Sequence, residues 1–263
     1  MTGEGGHAMM GKKGRDRMKE TRFDLSSAAL HLLAMVLMLL DHMWATVVPG
    51  NLWMTCAGRL AFPIFAFLIA EGLVHTRDKK AYRRRMLGAA VLSEIPFNLM
   101  YGGSAIYPFH QNVLWTFLIA MFLIALVERA KKRGKPVWTA AVGIAALGLG
   151  MLLGTVTMVD YNGVGVVTVM LFYFARGRRW YHFAIQAAGL YYLNVEVLKG
   201  LYFPVMLFGH EFEFYQQSLA LLALIPIWLY RGRQGHHSKA FRFGCYAFYP
   251  VHMLILAAIR AMI

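Results

Sequence analysis

The stretch AALHLLAMVLMLLDHMWATVV, Ala28 to Val48, is a helix-length apolar run that carries an acid and an imidazole side by side, Asp41 and His42. A hydrocarbon core of about 30 Å is crossed by roughly 20 apolar helical residues, so the run reads as a membrane span. A charge near the middle of a span costs about 2.5 to 3.5 kcal/mol on insertion scales, and an ionisable residue there faces a partner, a cavity or a reaction centre. The next apolar run carries Arg59. Both Asp41 and Arg59 lie about 10 Å from the end where the two runs are joined. Consecutive antiparallel spans linked by a short loop are neighbours, so the spacing predicts an Asp41–Arg59 ion pair. That pairing leaves His42 unexplained.

Outward from this stretch the whole chain has the same character. Of its 263 residues 59% are hydrophobic and 15% charged, against about 25% charged in a soluble domain. The predicted fold class is all-α, a polytopic integral membrane bundle of about nine transmembrane helices. The spans are expected near 28–48, 52–74, 86–101, 111–128, 136–157, 163–176, 180–196, 216–230 and 243–262. The aromatic segment 200–214 reads as an interfacial or re-entrant piece.

Cytoplasmic loops carry the excess Lys and Arg, which tests the count. With the N-terminus inside and the C-terminus outside, the inner segments hold 24 of the 27 Lys and Arg residues, and only Arg59, Lys199 and Arg260 fall elsewhere. Adding or removing one span scrambles that alternation. The same dispersal explains the net charge of +14 through topology and contact with membrane lipid, with no nucleic-acid partner.

Residues 1–24 are Gly-rich and basic and are expected to form a disordered tail, with residues 25–263 as one transmembrane domain. The first span is too long for a secretory signal core and lacks a small-residue cleavage site, so it is expected to be retained. Cys56 and Cys245 fall at opposite ends of their spans and cannot bridge. Neither has metal-ligand spacing, the adjacent His236 and His237 in an inner loop offer a weak metal site at most and read as solvated, and no metal is expected.

His31, Met35, Met38 and His42 recur at helical spacing on one stripe of the first span. Packing alone accounts for such a stripe. Elsewhere Glu94, Asn98, Asn112 and Thr116 place polar groups within spans, Asp160 closes one, and His252 lies at mid-depth in the last. Pro63, Pro96, Pro226 and Pro250 each free a backbone carbonyl that protein or water must satisfy. Polar groups with broken helices predict a wet internal cavity, a signature that transporters share.

The run GRLAFPIFAFLIAEGLVHTR (Gly58 to Arg77), following LMLLDH (Leu37 to His42), resembles the TraX family of bacterial membrane proteins, named for the conjugal transfer protein that acetylates pilin subunits. SEIPFN (Ser93 to Asn98), QNVLWT (Gln111 to Thr116), DYNGVGV (Asp160 to Val166) and FYPVH (Phe248 to His252) resemble it in the same order. The resemblance implies a multi-pass protein of the bacterial inner membrane that transfers acetyl from acetyl-CoA to an amine, the N-terminus of a peptide, or to a hydroxyl. It also implies likeness to multi-helix transmembrane acyltransferases, which use a cytosolic acyl-CoA to modify a peptide, glycan or small-molecule acceptor on the far side.

For that chemistry a neutral imidazole takes the proton of the attacking group. His42 is the first candidate base and His252 the second. Asp41 anchors Arg59, which with Asn112 is placed to stabilise an oxyanion. Glu71, His75, Arg77 and Arg84, at the inner end of the second span, are the candidate contacts for the donor, Arg being suited to phosphate. Two other classes remain: a transporter using Asp41, Arg59 and Glu94 as ion sites, though no two-half repeat is visible, and a non-catalytic assembly factor. The acceptor and the oligomeric state are not legible in the sequence.

Overall fold

The computed structural model describes residues 24–236 and 238–263. The expected N-terminal tail, apart from Asp24, and His237 lie outside the described residues. Ten α-helices carry the fold: α1 Ser27–Thr46, α2 Leu52–Gly58, α3 Ala61–His75, α4 Lys79–Gly102, α5 Val113–Lys131, α6 Pro136–Val156, α7 Asn162–Phe174, α8 Trp180–Tyr191, α9 Leu224–Leu229 and α10 Lys239–Arg260. A π-helical turn, Tyr192–Leu198, extends α8, and a 3-10 segment, Gln216–Ala223, leads into α9.

Five of these units are long and apolar enough to cross a membrane: α1, the continuous pair α2–α3, α5, α6 and α10. The helices Asn162–Phe174 and Gln216–Leu229 are apolar but shorter. In α4 the basic cluster from Lys79 to Arg85 occupies the first two turns, so only its second half is apolar. Each of the nine windows read from the sequence contains helix, and the chain is a helical membrane protein.

The segment 200–214 departs from the all-α expectation. Tyr202–Leu207 (β1) and His210–Tyr215 (β2) pair antiparallel, with Leu207 opposite His210. Phe208 and Gly209 between them have φ of 51° and 79°, as a two-residue hairpin turn requires. Phe203, Val205, Phe212 and Phe214 alternate onto one face, the period of a strand and not of a helix.

Helix α3 is the centre of the bundle: Ala61 to Ile64 and Ala66 to Glu71 are all buried, as expected of a helix that is apolar all round. It packs on α1 and α7, while α5 packs on α4, α6 and α7, and α10 closes the other side against α4 and α1. Helix α6 buries only Ala146, Gly150 and Gly154 and exposes Val137, Ile144, Leu152 and Val156. That apolar outer face is what lipid covers. Gly163 permits the close seam between α6 and α7, since a Cβ there would lie 2.2 Å from the Met151 carbonyl oxygen.

The basic segments gather at one end of the bundle. There Lys79 pairs with Glu128, the Tyr173 hydroxyl donates to Glu128 (2.8 Å), Arg178 donates to the Tyr230 carbonyl (3.0 Å) and Arg233 pairs with Asp24 (3.0 Å). The opposite end holds His110 beside Asp160, and Arg260 donating to the Met100 carbonyl (2.8 Å).

Candidate functional site

Two cavities lie one above the other along the stripe of α1 that carries His31, Met35, Met38 and His42. His31, Met35 and Met38 line a cavity of about 520 Å³ toward the basic end. Met38, Asp41 and His42 line one of about 370 Å³ toward the opposite end. The stripe thus lines two cavities and is not only a packing face.

His42 and His252, 210 residues apart, are hydrogen-bonded: His42 Nδ1 lies 2.7 Å from His252 Nε2. Both are buried, at 7% and 5% exposure, and their rings stack at an interplanar angle of 13°. His252 Nδ1 lies 2.7 Å from the Phe248 carbonyl. A carbonyl only accepts, so Nδ1 of His252 carries the proton and its Nε2 accepts from His42 Nδ1–H. Neutral His42 is left with its lone pair on Nε2, the tautomer being fixed by the network. The two histidines, alternatives in the sequence, are one unit here. His252 does not serve the carbonyl that Pro250 frees, which belongs to Tyr246.

Asp41 and Arg59 form the expected ion pair. Thr55 donates to Asp41 Oδ1 (2.7 Å), and Arg59 Nε donates to the Thr55 carbonyl (3.2 Å). The guanidinium is thereby fixed at the break between α2 and α3. Pro63 in the first turn of α3 cannot bond the Arg59 carbonyl four residues back, which helps to locate that break. Gly58 lets α1 and α2 close: a Cβ there would sit 2.4 Å from Asp41 Cβ. Asp41 and Arg59 both line the His42 cavity.

Asn112 is placed otherwise. Its Nδ2 donates to the Ala90 carbonyl (3.0 Å) and to Glu94, and its Oδ1 accepts from Leu114 N–H (3.1 Å). It caps α5 and ties it to α4, and is not among the residues lining either cavity.

Several lining residues were not singled out from the sequence. His110 lies 3.3 Å from Asp160, whose loop carries Met158, Tyr161 and Asn162 at φ of 53°, 59° and 48°. Such backbone costs about 1 to 3 kcal/mol for a residue like Tyr. The loop is held by reciprocal bonds between Gln111 and residues 158 and 160 (both 2.9 Å) and by Tyr161 stacked on Phe62. His110, the residue before QNVLWT, sat beside a motif but outside it. The hydrogen bond to Asp160 raises the His110 pKa above its ordinary 6.5, outweighing the opposing effect of desolvation. Gln217 also lines this cavity, 7% exposed, with an amide oxygen that has no partner.

In the larger cavity Glu71 is buried and accepts from Arg176 Nε (2.5 Å), with His75 3.2 Å away. Glu71 and His75 line it. Arg77 and Arg84 are exposed and do not. The arginines on its wall are Arg85 and Arg242, with Tyr82, whose ring lies 5.7 Å from the Arg85 guanidinium. No group of histidine, cysteine and acidic side chains suited to a metal occurs among the described residues.

Fold and site together define a helical membrane protein with a buried histidine pair and an ion pair beside one cavity. The family model described as TraX protein matches residues 26–260, and the chain belongs to the TraX family. It is 26% identical over 261 residues to the probable fimbrial assembly protein FimC, serogroup H1, of Dichelobacter nodosus, covering 90% of this chain and 96% of that protein. Protein TraX of Escherichia coli strain K12 is 32% identical over 126 residues, 47% of each chain. A second Escherichia coli Protein TraX is 28% identical over 144 residues, 54% of this chain and 52% of its own. These last two matches span about half the length of the TraX proteins. No solved structure matches the chain.

Proposed function

We propose that this protein is a membrane-embedded acyltransferase that moves acetyl from acetyl-CoA to an amine at a peptide N-terminus, or to a hydroxyl. The observation that carries the reading is the His252-oriented His42, whose Nε2 lone pair belongs to a ring lining the smaller cavity. An attacking neutral amine gives its proton to His42 Nε2 as its nitrogen bonds the thioester carbon. The carbonyl oxygen becomes an oxyanion beside the fixed Arg59. The C–S bond then breaks, and the leaving thiolate takes the proton from His42, giving amide and free CoA.

The basic end is the cytoplasmic side, with nine crossings, the N-terminus inside, the C-terminus outside and the bacterial inner membrane as location. The Lys and Arg distribution supports this. The donor's phosphates lie against Arg85 and Arg242, with His75 and Glu71 deeper and Arg77 and Arg84 at the surface. A cysteine placed at residue 80 should be shielded from an impermeant reagent in intact cells, and one at 161 should react; the reverse pattern overturns the orientation.

The test is transfer of label from acetyl-CoA to a peptide with a free N-terminus by the purified protein. Label on the peptide amine supports the reading. No transfer to any amine or hydroxyl, together with Asp41-dependent uptake of a solute, would favour a transporter. The name of the Dichelobacter relative, a probable fimbrial assembly protein, favours a second reading, a non-catalytic role in fimbrial assembly, in which substituting His42 lowers abundance instead of rate.

A further inference from the structure

Met38, Phe65, Val113, Phe117 and Tyr249 each line both cavities. They come from α1, α3, α5 and α10. Met38 is one helical turn from His42, Tyr249 is three residues before His252, and Val113 and Phe117 are one turn apart on α5, so this partition lies about one turn below the histidine pair. Phe117 is 3% exposed, Tyr249 7% and Met38 8%. The partition presents no charge, and Met38 is its one unbranched and readily rotated member.

The consequence rests on the acyl-transfer reading. Arg85 and Arg242 are on the larger cavity and His42 is on the smaller, so a thioester whose phosphates stay with the arginines must reach His42 through these five side chains. We propose that the partition is a selectivity gate set by cross-section: it admits the thin pantetheine arm with a linear acyl group and rejects acyl groups that are broad at the carbonyl. The chemistry is unchanged from that above. The gate decides only which thioesters arrive.

The experiment uses the full-length protein in detergent or nanodiscs, a free-amine tetrapeptide as acceptor, and acetyl-, butyryl- and benzoyl-CoA as donors, scoring CoA release and acylated peptide. The parent should use acetyl and butyryl and reject benzoyl. Met38→Ala and Phe117→Ala, on separate helices so that one remains if the other fails to fold, should each raise the benzoyl-to-acetyl rate ratio about tenfold or more, the scale on which a few pocket methylenes discriminate. Val113→Phe should slow butyryl and acetyl alike. A parent that uses benzoyl as readily as acetyl, or a ratio unmoved in folded openers while transfer continues, overturns the gate and leaves the acyltransferase standing. No transfer from any of the three donors removes both.

Discussion

The two cavities share a wall and treat their charges oppositely. Around His42 every charge is answered from within: Asp41 by Arg59 and Thr55, Arg59 by Asp41 and the Thr55 backbone. Around Glu71 the buried acid is answered by Arg176, while Arg85 and Arg242 line the cavity with charge to spare. The first holds a histidine with a fixed lone pair beside a neutralised ion pair. The second carries arginines on its wall in excess of its buried acid.

The contrast breaks first on the ion pair. The pair is largely buried, with side-chain exposures of 15% and 16%, and removing one partner of a fully buried pair costs about 3 to 5 kcal/mol, which is the upper bound here. Asp41→Ala and Arg59→Ala should each lose thermal stability within that bound, and the double variant should lose less than their sum; additive losses in a thermal-shift assay would mean the two charges are not coupled. Arg176→Ala, half exposed on its side of the molecule, should cost less than either.

A smaller effect sharpens the other half. If Arg85 and Arg242 hold the donor's phosphates, each Ala variant should raise KM for acetyl-CoA severalfold while kcat stays within about twofold, the pattern of lost uniform binding. A fall in kcat at unchanged KM would move these arginines out of the donor site.

The smallest effect concerns His110. Its pKa is raised by Asp160, so its contribution to stability is complete below 6.5, the unfolded value, and is lost as pH rises through the higher folded value. The melting temperature of the parent should fall across that window relative to His110→Gln. Parallel pH profiles for the two would show that the contact is not coupled to folding.

Much of this contrast is legible in the sequence, and the remainder is hidden for definite reasons. Asp41 and Arg59 could be paired because both lie at one depth on consecutive spans, where rise per residue fixes the geometry. The α1 stripe is equally plain at helical spacing. His42 and His252 could each be noticed, yet no local rule joins residues 210 apart, so the pair reads as two rivals. Asn112 reads as a site group because a polar residue opening a span looks the same whether it caps a helix or faces a cavity. Arg84 and Arg85 point about 100° apart on α4, and which one meets the cavity depends on a helix rotation that α10 sets by packing. The hairpin at 202–215 is concealed by aromatic content that an interfacial helix shares, and only the alternation onto one face marks it.

The most direct measurement compares label transfer from acetyl-CoA by the parent, His42→Ala and His252→Ala across pH. The account predicts that His42→Ala keeps fold and donor binding and loses about 100-fold or more in rate. It predicts a smaller loss for His252→Ala, because that residue orients the base and does not take the proton, and a group titrating in the parent rate profile that His42→Ala lacks. A His42→Ala variant that transfers acetyl at the parent rate, or a His252→Ala variant more damaged than His42→Ala, would contradict it.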